Sequence, residues 1–101
     1  MEGLYLIHTR EFISCKEPIY RIGRGYDVQK NVSKYPNGSN VLFLHICKNS
    51  ILCEAKIIEI FRQKFKKETY YGNKYFSGDV YDMIDIMYNY IKQHNKKCIE
   101  E

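Results

Sequence analysis

The first quarter of the chain contains two short apolar segments separated by a polar one. Leu4–Thr9 is apolar and aromatic, as a short β-strand is, and a second strand is predicted over Ile19–Gly23, directly after Pro18. The polar segment Thr9–Glu17 predicts a loop that connects them. The start of the chain therefore predicts two antiparallel strands joined by a long hairpin connection.

The next segment carries start and stop signals for one helix and one strand. Asp27 is positioned to cap a helix over Val28–Tyr35, and Pro36-Asn37-Gly38 predicts the turn that ends this helix. Val41–Cys47 is nearly all apolar, as expected of a strand that is covered on both faces. We therefore expect a third strand that is buried inside the fold.

A helical periodicity begins after this strand, with Asn49 or Ser50 as its cap. The apolar residues of the helix recur at intervals near three and four positions: Leu52, Ile57, Ile58, Phe61 and Phe65. Lys64, Lys66 and Lys67 follow at its end, where the helix dipole favours positive charge. This pattern predicts a helix with one buried face.

The last third of the chain predicts an aromatic loop and a final helix. The loop spans Thr69–Gly78, and Asp79 is positioned to cap the helix after it. One face of this helix is apolar, with Val80, Met83, Ile84, Met87 and Ile91. The order of elements therefore predicts an α+β fold, in which about three helices flank a small three-stranded antiparallel sheet.

Length and charge limit the class of protein. With 101 residues the chain suits one domain with a thin core. Sixteen Lys and Arg against twelve Asp and Glu give a net charge of +4, which permits a phosphate-rich partner without requiring one. No apolar run approaches the roughly 18 residues of a membrane span. We expect a soluble, intracellular protein with no membrane partner.

The four cysteines, Cys15, Cys47, Cys53 and Cys98, lack the paired C-x-x-C spacing of zinc ligands. The three histidines, His8, His45 and His94, do not complete such a set. We therefore expect reduced thiols rather than a structural metal site or a disulfide.

Six short pieces of sequence follow one another over residues 3 to about 90. They are Gly3-Leu4-Tyr5, Arg10-Glu11-Phe12-Ile13, Ile19-Tyr20-Arg21-Ile22-Gly23-Arg24, Tyr35-Pro36-Asn37-Gly38-Ser39, Glu54 with Phe61, and Gly72-Asn73-Lys74-Tyr75-Phe76-Ser77-Gly78-Asp79. Their order and spacing resemble the GIY-YIG endonuclease superfamily, in its branch of small stand-alone domains from bacteriophages and large DNA viruses. The resemblance implies one GIY-YIG-like domain over residues 1–95 and a C-terminal tail over residues 96–101.

The resemblance also implies a reaction, the metal-dependent hydrolysis of a nucleic-acid phosphodiester bond. Glu54 would hold one Mg²⁺ or Mn²⁺ ion, which neutralises charge on the leaving oxygen. Tyr5 would orient or deprotonate the attacking water, and Arg21 and Arg24 would bind the phosphate and stabilise its transition state. A viral origin would place the protein in the host cytoplasm or nucleus.

Three positions depart from the family pattern. Arg21 stands where the usual signature has a second tyrosine, and Tyr20 cannot replace that tyrosine because adjacent strand residues point to opposite faces. Asn31 stands where an arginine is usual on the first helix, and Lys74 stands where an acidic residue is frequent. Lysine cannot supply the bidentate fork of arginine, so Lys30 beside Asn31 is no equivalent.

Further residues are candidates for contact with the nucleic acid. Lys30 and Lys34 flank Asn31, and Tyr70 and Tyr71 could stack on unpaired bases or pack against the sheet. Phe76, in the same loop, is assigned to the core. The partner is expected to be DNA, and a chain this small would read sequence weakly or act as a homo-oligomer.

Three functions remain open from the sequence. One is the metal-dependent endonuclease. Another is a GIY-YIG-fold module that binds nucleic acid after losing catalysis together with the helix arginine. The third is an interaction protein that uses the aromatic loop against a protein partner. Strandness, oligomeric state and biological role do not follow from the residues.

Overall fold

The chain is an α+β domain in a computed structural model, which describes residues 1–100 and the side chains of residues 1–97. It contains a five-stranded antiparallel sheet and four helices. In chain order these are β1 (Gly3–His8), α1 (Arg10–Ser14), β2 (Ile19–Gly25), α2 (Val28–Val32), β3 (Asn40–Ile46), α3 (Ser50–Lys64), β4 (Lys66–Lys67), β5 (Tyr75–Ser77) and α4 (Val80–Glu100).

The sheet has the strand order β3-β1-β2-β5-β4, so β1 and β2 lie at its centre. The predicted α+β class is confirmed, but the prediction of three strands is wrong. The two additional strands are short: β4 has two residues, and β5 has three and lies inside the segment predicted as a loop. Such short strands show no alternation of apolar and polar residues from which they could be predicted.

The connection between β1 and β2 is also more ordered than predicted. Arg10–Ser14 forms the short helix α1 inside the expected loop. Phe12 in this helix is buried, and its ring packs edge-on against Tyr71 at 4.8 Å between centroids. One buried aromatic side chain thus fixes a helix that is too short to show periodicity in the sequence.

The strand β3 does not lie inside the fold as predicted. It forms an edge of the sheet and pairs only with β1 among the described strands. Val41, Leu44 and Ile46 remain 42%, 37% and 47% exposed, and only Phe43 packs against the main core. One face of this strand is partly covered by α4, where Phe43 and His45 are half-buried, while Leu42, Leu44 and Ile46 are exposed.

The main core lies between one face of the sheet and the helices α3 and α4. Its largest members are fully buried: Leu4, Leu6, Ile22, Ile57, Phe61, Phe76, Met83, Met87 and Ile91. Burying one such side chain contributes about 1.5–3 kcal/mol. The assignment of Phe76 to the core and the apolar face of α4 are thereby confirmed.

A smaller core lies on the opposite face of the sheet, under α2. Tyr5, Ile7 and Val28 are buried there, with Val32 and Tyr35 packed against them. This helix is shorter than predicted and ends at Val32, although Asp27 caps it by accepting a hydrogen bond from the amide of Lys30. Tyr5 and Tyr35 therefore lie on this face of the sheet.

The start of α3 is capped by a residue from the N-terminus of the chain. Asn49 has a left-handed backbone conformation and makes no side-chain cap. Glu2 replaces it, because its Oε2 accepts from the amide of Ser50 at 2.9 Å and from the Ser50 hydroxyl at 2.7 Å. Leu52, predicted on the buried face of this helix, is 47% exposed, whereas Ile57 and Phe61 are buried as expected.

The last helix begins as predicted, since Asp79 Oδ1 accepts from the amides of Tyr81 and Asp82. It continues through residues 96–100, which the sequence analysis assigned to a tail; Glu101 lies outside the described residues, as does the side chain of Cys98. Within the described part of the chain, none of the helices combines the length and apolar character needed to cross a bilayer.

Candidate active site

A basic cleft of about 350 Å³ opens where α2 meets the centre of the sheet. Its lining combines four cationic side chains with two tyrosines, one amide and one proline: Arg21, Arg24, Lys34, Lys74, Tyr5, Tyr35, Asn31 and Pro36. No acidic residue of the described chain lines it. A cleft with this lining attracts an anion, since low-dielectric walls strengthen the field of the four positive charges.

Tyr5 reaches this cleft because the facing strand has a glycine. Tyr5 in β1 lies opposite Gly23 in β2. A Cβ atom on Gly23 would lie 2.2 Å from Cζ of Tyr5, closer than side chains ever approach. The absence of a side chain at Gly23 therefore lets the Tyr5 ring cross β2, while the ring itself is only 3% exposed.

Tyr5, Tyr35 and Arg21 form one hydrogen-bonded cluster. The two hydroxyls lie 2.8 Å apart, and Nη1 of Arg21 donates to Tyr5 Oη at 3.0 Å and also to Tyr35 Oη. The tyrosine rings meet edge to face, with centroids 5.9 Å apart. Tyr35 follows the end of α2 by three residues and packs against the small core that contains Tyr5.

The cluster sets the protonation states of its members. Burial and then the hydrogen bond with Tyr5 raise the pKa of Tyr35 well above its ordinary value, against the opposing effect of Arg21. Burial acts to lower the pKa of Arg21, but the interactions with Tyr35 and Tyr5 outweigh it and raise that pKa overall. At neutral pH the cluster therefore holds a neutral Tyr35 phenol and a charged guanidinium.

Arg24 enters the cleft from the other face of the sheet. It pairs with Leu4 in the strand register, whereas Arg21 pairs with Ile7, so the two arginines start on opposite faces. Nε of Arg24 donates to the Ser50 hydroxyl at 2.8 Å. Its Nη2 is buried and has no hydrogen-bond partner among the described residues. A buried donor of this kind is costly unless a ligand or water accepts from it.

Glu54 lies in the second turn of α3 and is 6% exposed. It does not line the cleft itself; Lys74, which does, donates to Glu54 Oε1 at 3.0 Å. The second carboxylate oxygen, Oε2, is buried and accepts no hydrogen bond from any described residue. The Glu54 carboxylate is thus connected to the basic cleft through Lys74, and its Oε2 has no hydrogen-bond partner among the described residues.

These residues fit a single divalent cation. Mg²⁺ prefers oxygen ligands, and where a site offers one carboxylate it keeps several waters and binds substrate phosphates. Oε2 of Glu54 is a buried oxygen that still needs a partner, which is what such an ion would supply. Lys74 holds the other oxygen and would compete with the ion for this carboxylate.

Asn31, at the position of the helix arginine in the family pattern, has a structural contact. Its Nδ2 donates to the backbone carbonyl of Arg24 at 3.1 Å, which ties α2 to the end of β2. Gly25 makes room for it, because a Cβ there would lie 2.2 Å from Asn31 Nδ2. Asn31 lines the cleft but carries no charge into it.

The residues predicted to contact nucleic acid are not gathered in one place. Lys34 lines the basic cleft, whereas Lys30 is exposed on α2 outside it. Tyr71 lines a second cleft of about 410 Å³ that shares Arg21 and Lys74 with the first. Tyr70 is 92% exposed and contacts the ring of Tyr71 at 5.1 Å.

Sequence reasoning assigned no role in the site to Tyr35 or to the pair of Glu2 and Ser50. Tyr35 stands directly before the predicted turn Pro36-Asn37-Gly38, and its contacts with Tyr5 and Arg21 join residues 30 and 14 positions apart. Lys74 was noted only as a departure from the family pattern, and its contact with Glu54 joins a loop to a helix 20 positions away. No local pattern in the sequence encodes such a contact.

Comparison with protein-family models, with curated proteins and with solved structures finds no match for this chain.

Proposed function

We propose that this protein is a metal-dependent endonuclease that hydrolyses nucleic-acid phosphodiester bonds, with DNA as the expected substrate, in the basic cleft. The observation that carries the proposal is the combination of four cations around the cleft with a buried carboxylate oxygen that has no partner among the described residues. Four cations alone would suit any phosphate. The carboxylate behind them is what a hydrolase needs to hold a cation beside that phosphate.

The bound phosphodiester would be held mainly by arginine. Arg21 and Arg24 approach the cleft from opposite faces of β2, so their guanidinium groups can contact different non-bridging oxygens of one phosphate. Nη2 of Arg24, buried without a partner in the described part of the chain, would gain an acceptor. Lys34 and Lys74 add charge at the rim. These contacts strengthen as negative charge develops in the transition state.

The two tyrosines would position the attacking water. Because Tyr35 keeps its proton, it can donate to Tyr5 Oη, which also accepts from Arg21. The proton of Tyr5 is then directed away from both neighbours and towards a water in the cleft. Tyr5 is held in one orientation by Gly23 and by these hydrogen bonds, which reduces the entropy lost when the water is aligned with phosphorus.

Glu54 would be the protein ligand of one Mg²⁺ or Mn²⁺ ion, through Oε2. When bound, such an ion neutralises charge on the leaving oxygen. Lys74 would orient the Glu54 carboxylate before the ion arrives, since its ammonium group lies 3.0 Å from Oε1.

A second candidate function is nucleic-acid binding without cleavage. It is favoured by one observation: Lys74 already neutralises Glu54, and Asn31 brings no charge to the cleft. In that case the cleft would bind a phosphate through its cations and Lys74 would exclude the metal ion. Binding would weaken steeply with salt, because phosphate contacts release counterions.

Cleavage of supercoiled plasmid and of single-stranded DNA in Mg²⁺ or Mn²⁺ tests the proposal. Glu54→Gln should abolish cleavage and leave salt-dependent binding in place, since the cations of the cleft remain. Glu59→Gln is the matched control: it changes a carboxylate on the same helix, which pairs with Lys56 at the surface, and should cleave as the wild type does.

Three outcomes separate the functions. Metal-dependent cleavage that is lost only in Glu54→Gln supports the endonuclease. Salt-dependent binding with no cleavage by the wild type in either metal supports the binding module. Absence of both binding and cleavage at low salt refutes the endonuclease and the binding module. The remaining function is a protein–protein interaction through the aromatic loop, which is tested by capture of a partner that resists nuclease treatment.

A further inference from the structure

Cys47, Cys53 and His94 meet at the end of the sheet, where the connection between β3 and α3 packs against α4. Their ligand atoms all lie within 4.8 Å of one another. Both cysteines are buried and His94 is half-buried. The spacing of the cysteines does not predict this cluster, because its three members come from a loop, a helix and a second helix that are brought together only by the fold.

The cluster is separate from the basic cleft and from the chemistry proposed there. Neither cysteine lines that cleft, and nor does His94. Two thiolates and an imidazole suit zinc, whereas Mg²⁺ prefers oxygen ligands. A divalent ion at Glu54 would therefore be bound by oxygen, and one at this cluster by sulfur and nitrogen.

The spacing of the ligand atoms suits a tetrahedral ion. Zinc binds sulfur at about 2.3 Å and imidazole nitrogen at about 2.0–2.1 Å, which places tetrahedral ligands about 3.5 Å apart. The ligand atoms of the three residues lie within 4.8 Å of one another, so small side-chain rotations would bring them to that spacing. Three protein ligands leave one coordination position, which water or a further ligand can occupy.

The neighbouring contacts hold the imidazole in a defined tautomer. Nε2 of His94 lies 2.7 Å from the carbonyl oxygen of Lys48, and a carbonyl can only accept, so Nε2 carries the proton. With Nε2 engaged in this way, Nδ1 is the ring nitrogen that would bind the ion. Metal-binding histidines are oriented in the same way, by a hydrogen bond from the second ring nitrogen to a carbonyl or carboxylate.

Asn95, the residue after His94, fixes the same connection. Its Nδ2 donates to the carbonyl of Ile46 at 3.0 Å, and its Oδ1 accepts from the amide of Lys48 at 3.4 Å. The backbone on both sides of Cys47 is thus bound to α4. The positions of the ligands are set by the fold before any ion is present.

We propose that Cys47, Cys53 and His94 bind one zinc ion, which links α4 to the connection between β3 and α3. The ion would join the end of the sheet to the last helix, and both thiols are buried away from the cleft. Cys98 follows His94 by four positions in the sequence, but its side chain lies outside the described residues, and the three described ligands carry the proposal.

Cobalt and zinc titrations of the reduced, full-length protein test this site. Cobalt bound to thiolates in tetrahedral geometry gives a near-ultraviolet charge-transfer band and strong visible bands, which an oxygen site at Glu54 cannot give. The wild type should bind one cobalt ion with these bands, and zinc should displace it. Zinc at about 100-fold above its dissociation constant should raise the melting temperature by about 13 °C.

Variants locate the ion. Cys47→Ser should lose the cobalt charge-transfer band and the zinc-dependent rise in melting temperature. His94→Gln should bind zinc and cobalt at least about tenfold more weakly than the wild type. Cys15→Ser is the matched control, because Cys15 is an exposed thiol elsewhere, and should behave as the wild type does. Glu54→Gln should retain the cobalt bands. The half-buried His94 provides a variant that keeps both core thiols if Cys47→Ser fails to fold.

The proposal is overturned if the wild type shows no thiolate band, or if His94→Gln gives the same band and affinity as Cys15→Ser. It is also overturned if Cys47 and Cys53 form a disulfide whose reduction yields no metal binding. Since these measurements do not involve nucleic acid, their failure leaves the proposed nuclease activity unaffected.

Discussion

Replacing Lys74 by methionine should destabilise the fold, because it leaves the Glu54 carboxylate buried without a partner. Lys74 Nζ lies 3.0 Å from Glu54 Oε1, and the other oxygen, Oε2, has no hydrogen bond from the described residues. The side chain of Glu54 is 8% exposed and that of Lys74 is 38% exposed. Lys74→Met therefore removes the only described charge partner from a carboxylate that water barely reaches.

The expected cost is about 2 kcal/mol. Breaking a fully buried ion pair costs about 3–5 kcal/mol, and a surface pair is worth about 0–1 kcal/mol. This pair is intermediate, since one partner is buried and the other is partly exposed to water. For a domain of this length, about 2 kcal/mol corresponds to a fall in melting temperature of about 10 °C.

Urea unfolding followed by circular dichroism measures this cost, and a double-mutant cycle assigns it to the pair. Glu54→Gln combined with Lys74→Met should be more stable than Lys74→Met alone, because no charge remains buried. Lys56→Met is the matched control, since Lys56 and Glu59 are both exposed in their pair at 3.9 Å, and should change stability by less than about 0.5 kcal/mol.

The same variant tests the metal site. With Lys74 absent, both oxygens of Glu54 are available, so Mg²⁺ should stabilise Lys74→Met more than the wild type and should not stabilise the double variant. The reasoning is refuted if Lys74→Met unfolds at the same urea concentration as the wild type. It is also refuted if the two substitutions are additive, because the carboxylate would then not depend on Lys74.

Further predictions concern the cluster around Tyr5 and the cap of α3. Gly23→Ala places a Cβ 2.2 Å from the Tyr5 ring and should cost about 1–3 kcal/mol, measured by urea unfolding; an unchanged midpoint would contradict the close approach. Hydrogen bonds from Ser50 lower the pKa of Glu2 in the folded protein below its ordinary value of 4.5. The contribution of Glu2 to stability is therefore present above pH 4.5 and is lost as the pH falls through the pKa of the folded state. Glu2→Gln should therefore cost about 1 kcal/mol at neutral pH and approach the wild type in acid, and a pH-independent difference would contradict this. Burial raises the pKa of Tyr35, so the wild type should lose stability as the pH rises above 10.0, and Tyr35→Phe should lose less over the same range.

The central strands and the last helix follow from local patterns in the sequence. Gly3–His8 and Ile19–Gly25 lie within two residues of their predicted bounds, because both are short apolar segments ended by polar residues or glycine. The apolar face of α4 is predicted by its periodicity. The cap by Asp79 also follows from local sequence, since its carboxylate accepts from amides two and three positions on.

Other features depend on contacts between distant residues and are absent from local patterns. Val41–Cys47 was expected to be buried on both faces, but whether a strand lies at the edge of a sheet depends on the other strands. Glu2 caps α3 from 48 positions away. For the same reason no local pattern predicts the contact of Lys74 with Glu54.

The candidate site also has one part that the sequence predicts and one part that depends on contacts between distant residues. The sequence resemblance predicted Tyr5, Arg21, Arg24 and Glu54 as site residues, and the first three line one cleft. The carboxylate reaches it only through Lys74, a contact set by the fold of the segment before β5. Whether these residues cleave DNA is a chemical question that stays a prediction.

The position of a metal ion and a phosphate, in crystals soaked with Mn²⁺ and a phosphorothioate oligonucleotide, tests the proposed hydrolysis most directly. We predict an anomalous peak about 2.1 Å from Glu54 Oε2, with one phosphate between that ion and the guanidinium groups of Arg21 and Arg24. A phosphate in the cleft with no metal at Glu54, while Lys74 still contacts Oε1, would contradict the proposed hydrolysis and support a binding role.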